Sequence, residues 1–545
     1  MTPVIVGVGQ AAERIDDVGY RGLSPIDLAV AAARDAIADA GVDPRSLISM
    51  IDTVAATPQF ENSSPRASAP LGKSTMFPLS VANRLGASPR RAVLEVSGGQ
   101  YPQHLVTEFS HEIYSGSAEI VLLVGAEAMS TIRHLAQSEI KPDFSDTPSD
   151  PQGVYEDRGF GLRGLVSREQ ANHGLNGALA QYALLENARR AAKGMSRHEY
   201  AKAMGDMFAP FSAVAAANPY SAAPEQRSAE ELVTVTDRNR LIADPYPRFV
   251  VARDQVNQGA AVLLTSQRKA RELGIEQGKW VYLHGAANLQ ERDLFERKHF
   301  GEAPSAALAV RRALEIAKLT IDNVDFFDFY SCFPIAVFNA IDPLDLSPDD
   351  PRGLTLTGGL PFFGGAGNNY SMHAIAEAVS RVRCKLGSYA LVSANGGVLS
   401  KTSVGVYSTV PSPLRLDCSE QLQADIDMAS SPPRASRPRG WAEVETYTVT
   451  DGRNGKTGVV IGRLESGGGR FVARVASGDN ELMDVLRHAD EPIGQRFYVT
   501  ALNSGNRATI SGAKAAQLFS HRPAVLRDDY QFVSVNRDGH LLEVT

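Results

Sequence analysis

Cysteine is scarce, with Cys332, Cys384 and Cys418 the only ones in 545 residues. They stand far apart without a C-x-x-C spacing, so neither a disulfide framework nor a metal site is expected, and a reducing cytoplasm suits the chain. No apolar run approaches the roughly 20 residues needed to span a bilayer. The opening MTPVIVGVGQ lacks a basic segment and runs directly into glycine-rich sequence, so it does not read as a signal peptide. Charge of one sign is missing too. With 55 Lys+Arg against 62 Asp+Glu the net charge is -7, which offers no global field for nucleic acid or an anionic membrane. A polyanionic ligand therefore needs a local basic pocket.

What is present is ordinary soluble composition, 43% hydrophobic, in a chain too long for one core. Residues 4–9, VIVGVG, form a short apolar run ending in glycine, as buried parallel strands do. Ser24 then reads as an N-cap, Pro25 as the first helical residue, and Gly41 as the stop of an Ala-rich helix. IDTVAAT and AEIVLLVGAEAMS read as strands and PQHLVTEFSHEIYSGS as a helix. This alternation predicts an α/β fold.

The same order returns about 280 positions later. WVYLHGAA matches the opening strand, SAALAVRRALEIAKLTIDNVDFF matches the first helix and second strand, and SYALVSANGGVLS matches AEIVLLVGAEAMS. Within the helix, Leu28-Ala29-Val30 pairs with Leu308-Ala309-Val310. Three matched elements in order point to a duplicated α/β unit. The halves are read as 1–128 with 246–275, and 276–412. Residues 129–245, richer in Pro, Asp and His, read as a loop domain inserted in the first half. Residues 413–440, with clustered Pro, Ser and Arg, read as a linker. Beyond it, 441–545 carries short alternating segments broken by Gly and Asn, the pattern of a small all-β barrel resembling the OB-fold.

The duplicated halves, the central insertion, VNQGAAVLL at 256–264 and AEIVLLVGAEAMS resemble the thiolase superfamily, nearest its sterol-carrier-type branch. The resemblance covers residues 3–411. It implies two βαβαβαββ halves in five layers, acyl-coenzyme A as ligand with no tightly bound cofactor, and an acetyl-coenzyme A acetyltransferase-like activity in lipid metabolism. It also implies a homodimer, which the extra domain puts in question.

The family's nucleophilic cysteine sits at a helix N-terminus, where the helix dipole favours the thiolate. In LEVSGGQYPQHLV, Gly99 aligns with the C-x-x-G glycine and Val96 stands at the cysteine. The framework of the G-H-P motif is met by GGLPFFGGAGNNYSMH, with Gly365 at the histidine and Ala366 at the proline; His373 falls one turn into the next helix. In SANGGVLS, Ala394 stands at the second cysteine, beside Asn395. The fourth motif appears as YSCF and keeps Tyr330 and Cys332 as candidate acid, base or nucleophile. Ser97, Gly98, Gly99, Gly364, Gly365, Asn368, Gly396 and Gly397 are the candidate ligand-binding positions, because small residues let a ligand approach the backbone.

The expected function is therefore acyl-coenzyme A binding without the Cys-His-Cys set. A thiolase-like aldolase acting through Tyr330 and a non-catalytic acyl-coenzyme A-binding scaffold are the alternatives. OB-like barrels also bind single-stranded nucleic acid, and Arg453, Lys456, Arg463, Arg470 and Arg474 with Tyr447, Phe471 and Phe497 are residues of the right kind. Barrels of any function show such residues, so nucleic acid is not expected.

Overall fold

The computed structural model describes residues 1–148, 153–161, 166–417, 419–452, 455–519, 533–535 and 541–543. Cys418, Arg453 and most of the last 26 positions lie outside the described residues.

The first sheet has strands β1 (Pro3–Ala12), β2 (Thr53–Ala56), β3 (Arg91–Leu94), β4 (Ile120–Glu127), β5 (Val154–Asp157) and, beyond the insertion, β8 (Gln258–Ser266), in the order β1-β8-β4-β2-β3-β5. Between β5 and β8 the insertion contributes a hairpin, β6 (Leu241–Ala243) and β7 (Tyr246–Pro247). The second sheet has β9 (Tyr282–Gln290), β10 (Phe326–Phe329), β11 (Tyr389–Gly396) and β12 (Lys401–Ser408), ordered β10-β11-β12-β9. Its pairings repeat those of β2, β4, β8 and β1: parallel, then antiparallel twice.

Alternation on the strands builds five layers. On β4, Ile120, Leu122 and Val124 face the outer helix Pro25–Asp39, while Val121 and Leu123 face helices Tyr101–Ser115 and Tyr370–Cys384 in the middle. The middle helices meet Ala390 and Val392 of β11, and the opposite face of that sheet packs on helices Pro304–Ala317 and Pro334–Ile341. Every residue of β4 is buried, which is why it reads as an unbroken apolar run. The expected capping of the first helix holds, with Ser24 and Asp27 forming a reciprocal box.

The duplication is visible in backbone detail. β1 bulges between Ile5 and Gly7 and β9 between Leu283 and Gly285, and each glycine lies directly against a helix carbonyl, that of Ala36 or Ala313. Ala36 and Ala313 therefore correspond, and the sequence pairing of Leu28 with Leu308 is three residues, nearly one turn, out of step. An Ala-rich helix resembles itself at that spacing, so its sequence cannot hold the register.

The second half departs from the expected βαβαβαββ in one strand. Residues 354–357 occupy the place corresponding to β3 but join the sheet only through Phe329 N–H donating to Leu354 O (3.0 Å). Asp328 takes over the backbone there, its Oδ2 accepting from the amides of Leu356 (2.8 Å) and Thr357 (3.0 Å) and from the hydroxyls of Thr355 and Thr357. A carboxylate supplies the partners that a strand ladder otherwise provides.

The tail forms a closed five-stranded barrel, β13 (Arg439–Gly452), β14 (Gly455–Leu464), β15 (Arg470–Val475), β16 (Arg496–Leu502) and β17 (Gly505–Thr509), ordered β14-β15-β17-β16-β13 and closed by β13 on β14. Helix Asn480–His488 lies between the third and fourth strands, so the barrel is OB-like. Val459, Ile461 and Val472 on β14 and β15 are buried in the main core, and β6 joins β13 through Ala243 and Thr450. Tyr447, Phe471 and Phe497 are fully buried, so they present no stacking surface for bases. Within 413–440, read as a linker, helix Glu420–Asp427 binds β9 through Gln423 and Gln290 and buries Ile426.

Candidate functional site

Four turns at strand ends converge between the sheets. The first, 95–100, leads from β3 into helix Tyr101–Ser115; the second, 330–333, leads from β10 into helix Pro334–Ile341. The third, 358–369, enters helix Tyr370–Cys384, and the fourth joins β11 to β12 at Gly396-Gly397. Asn368 ties the first to the third, its Oδ1 accepting from Gly98 N–H (2.7 Å) while its Nδ2 donates to Pro58 O and Ser63 Oγ. Ser371 Oγ donates to Gly99 O at 2.6 Å.

The structure thus brings the predicted positions together, but not as an open catalytic pocket. Val96 packs against Gly161 and Ser97 Oγ donates to Ser63 O (3.2 Å), with no histidine on it. A β-carbon at Gly365 would meet Arg253 O at 3.1 Å and the Leu360 side chain at 3.4 Å. Ala394 is buried, and the cavity it shares with Tyr330 holds only ≈ 10 Å³. His373 is buried against Phe363 with Nδ1 2.7 Å from Gln10 Oε1, and burial pushes its pKa down to about 3. It is a neutral structural histidine.

The glycines mostly accommodate other parts of the protein. Gly98 and Gly396 make room for the Gln100 side chain, Gly99 for the Tyr330 hydroxyl and Asn395 O, and Gly364 for Val256 and Gln258. Gly397 O accepts from the Tyr182 hydroxyl (3.0 Å). Tyr182 comes from the insertion, on helix Ala178–Ala192, stacks on Phe333 and accepts from Asn395 Nδ2 (2.8 Å). Sequence reading missed Gln100 and Tyr182. A polar residue directly after Ser-Gly-Gly was the one available signal for Gln100, and nothing local marks Tyr182.

The two groups retained by the fourth motif are poor bases. Burial pushes the Cys332 thiol up to about 12, and its Sγ lies 3.9 Å from Asn395 Nδ2. Burial, with Cys332 beside it, also raises the Tyr330 phenol well above its ordinary value. The Tyr330 hydroxyl has no hydrogen-bond partner among the described residues, so it remains a free donor beside Gly99. One group of metal-type donors lies nearby, Glu95, His104 and Glu108, but both carboxylates are paired with Arg158. The guanidinium supplies the cation there.

Across the third turn lies a local basic pocket of ≈ 220 Å³, lined by Arg227, Arg248 and Arg253 with Phe249 and Phe362. Arg227 pairs with Glu225, whereas Arg248 and Arg253 form no ion pair among the described residues. Burial and the neighbouring Arg248 and Arg227 charges push the Arg253 pKa down. The backbone beneath belongs to the site: Ala252 N–H donates to Cys332 O (2.9 Å), and Gly365 N–H to Arg253 O (2.8 Å).

Duplicated five-layer halves with converging turns, no thiol at Val96 or Ala394 and no imidazole at Gly365 define a thiolase-superfamily protein without the Cys-His-Cys set. Residues 421–502 match the family described as the thiolase-like protein type 1 additional C-terminal domain. A solved structure of a monomeric SCP2-thiolase-like protein type 1 from Mycobacterium smegmatis is 46% identical, covering 94% of this chain and 99% of its own, with a TM-score of 0.80. The chain therefore belongs to the SCP2-thiolase-like proteins of type 1. An Ltp2-ChsH2(DUF35) aldolase (19% identity, 75% of this chain, 97% of its own, TM-score 0.54) and the dimeric peroxisomal thiolase of Saccharomyces cerevisiae (16%, 75%, 97%, 0.53) share the fold. No curated protein matches the chain. No helix among the described residues is long and apolar enough to cross a membrane.

Proposed function

We propose that this protein binds a coenzyme A ester and does not thiolyse it. The observation that carries this reading is the pocket of Arg227, Arg248 and Arg253, whose two acids, Glu225 and Asp254, pair with Arg227 and Arg133, over backbone bonded to Cys332 and Gly365. Coenzyme A carries a pyrophosphate and a 3′-phosphate, and guanidinium groups bind such oxygens in a fork. No cysteine stands at Val96 or Ala394 to accept the acyl group and burial keeps the Cys332 thiol protonated, so in this reading the ester is held rather than transferred. Cytoplasmic residence agrees with free Cys332 and Cys384. A monomer agrees with the monomeric relative.

Calorimetric titration of the full chain with acetyl-coenzyme A and with pantetheine tests this. Tighter binding of the coenzyme A ester, weakened about tenfold or more by Arg253→Ala, is expected. No binding into the millimolar range, or binding indifferent to Arg253, rejects it.

A lyase reading is favoured by one feature, the unpartnered Tyr330 hydroxyl. In a retro-aldol step the β-hydroxyl proton passes to solvent, its oxygen forms the new C=O as the Cα–Cβ bond breaks, and the electrons of that bond form the thioester enolate, which regains a proton from solvent. Tyr330, held protonated, can donate a hydrogen bond to that enolate oxygen. Turnover of a β-hydroxyacyl-coenzyme A that Tyr330→Phe abolishes supports this reading, and turnover that survives the substitution removes it.

A further inference from the structure

A second cleft, of ≈ 920 Å³, lies where the barrel meets the body, between helix Ala178–Ala192, residues 298–304, the helix carrying Asn339, and β13 and β15. Its size and its place at a junction of domains are those of small-molecule sites. It shares no lining residue with the arginine pocket, so a ligand in this cleft is independent of the coenzyme A reading.

Helix Pro334–Ile341 has the sequence PIAVFNAI, and every residue of it is buried. Asn339 is its one polar side chain, and only 6% of the residue is exposed. Its Nδ2 is buried without a partner, and the carboxamide makes no hydrogen bond among the described residues although it lines the cleft. An amide buried unpaired is destabilising, whereas an apolar residue in its place would not be. The position therefore calls for a partner from the cleft.

Charge at the rim narrows what that partner is. Most charged groups of the cleft are already ion-paired: Arg189 and Lys193 share Asp342, and Arg470 pairs with Glu445. Lys298 and His299 are exposed and have no ion pair among the described residues, with Glu302 the one acid left beside them. Apolar side chains, including Ala188, Ala191, Phe300 and Ile493, line the cleft beside these ion pairs.

We propose that this cleft binds a small aliphatic carboxylate, its charge at Lys298 and His299 and its body along the apolar side chains, with Asn339 hydrogen-bonding a polar group at the deep end. Octanoate and 8-hydroxyoctanoate are the probes, titrated into the full chain by calorimetry, with octylamine as the charge-reversed control. The proposal expects saturable binding of both acids, tighter for the hydroxy acid, and no comparable binding of the amine. Lys298→Glu, a surface change that leaves the fold intact, weakens both acids about tenfold or more. Asn339→Leu removes the preference for the hydroxy acid. Acetyl-coenzyme A does not displace either probe. No binding up to about 10 mM, binding unaffected by Lys298→Glu, or equal binding of the amine overturns the proposal.

Discussion

The Gln100 side chain fills the space that a β-carbon on Gly396 would occupy, so the turn at 95–100 and the turn at Gly396-Gly397 touch each other. Gln100 Oε1 is buried in that contact without a hydrogen-bond donor. Gly98, Gly99, Gly364 and Gly396 face space that other parts of the protein fill.

That contact sets the first prediction. Gly396→Ala should cost about 1–3 kcal/mol, as overpacking of a closed core does. Much of the loss should disappear in the Gln100→Ala background, a coupling that a double-mutant cycle of urea unfolding measures. Additive effects would mean that Gln100 is not the obstacle.

Restoring the missing groups should not restore the chemistry. The triple variant Val96→Cys, Gly365→His, Ala394→Cys is expected to show no thiolysis of acetoacetyl-coenzyme A, because the cavity at Ala394 and Tyr330 holds only ≈ 10 Å³ and a β-carbon at Gly365 already meets Arg253 O at 3.1 Å. Measurable acetyl-coenzyme A release would show that the pocket opens.

Barrel docking depends on a buried arginine. Arg470 is 1% exposed, pairs with Glu445 at 2.7 Å and donates to the carbonyls of Phe295 and Arg297. Glu445→Gln leaves that charge uncompensated and should cost about 3–5 kcal/mol. Limited proteolysis within 430–440 should then be faster in the variant than in the unaltered protein.

Acid should loosen the same junction. His173, on the insertion, has Nδ1 at 2.7 Å from Glu169 O and accepts the Asn506 amide of the barrel on Nε2 (2.8 Å). Burial, with smaller contributions from Arg507, Arg474 and Arg434, pushes its pKa down to about 4, from 6.5. A histidine depressed in the folded state contributes stability that is present above 6.5 and is lost as pH falls toward 4. Tm should therefore drop across that window, and amide exchange at Asn506 should rise. His173→Gln should flatten the drop; an identical pH profile in the variant would assign the effect elsewhere.

Asp328 shows the opposite sign. Burial raises its pKa from 3.8 to about 6 despite the donors of residues 355–357. A raised carboxyl makes the folded state the better proton binder, so its share of stability falls as pH rises from about 4 to 6 and is level above. Asp328→Asn should remove that share from the Tm profile, and an unchanged slope would refute it.

The sequence alone determined the fold class, the duplication, the barrel and the lack of the family's Cys-His-Cys set. These come from strand and helix periodicity, from the order of the repeated segments, and from residue identities at positions held by neighbouring glycines. Tertiary structure decided the rest. It set the helix register through Gly7 on Ala36 and Gly285 on Ala313, and replaced one strand by the Asp328 carboxylate. It also showed what occupies the site. Gln100, Tyr182 and Arg253 are remote from one another in sequence, and no local pattern encodes side chains that meet only after the sheets stack and the insertion folds back. Burial of Asn339 likewise reads as ordinary helix until the barrel closes a cleft against it. Periodicity reports which way a residue faces; what stands opposite is set by packing between distant segments.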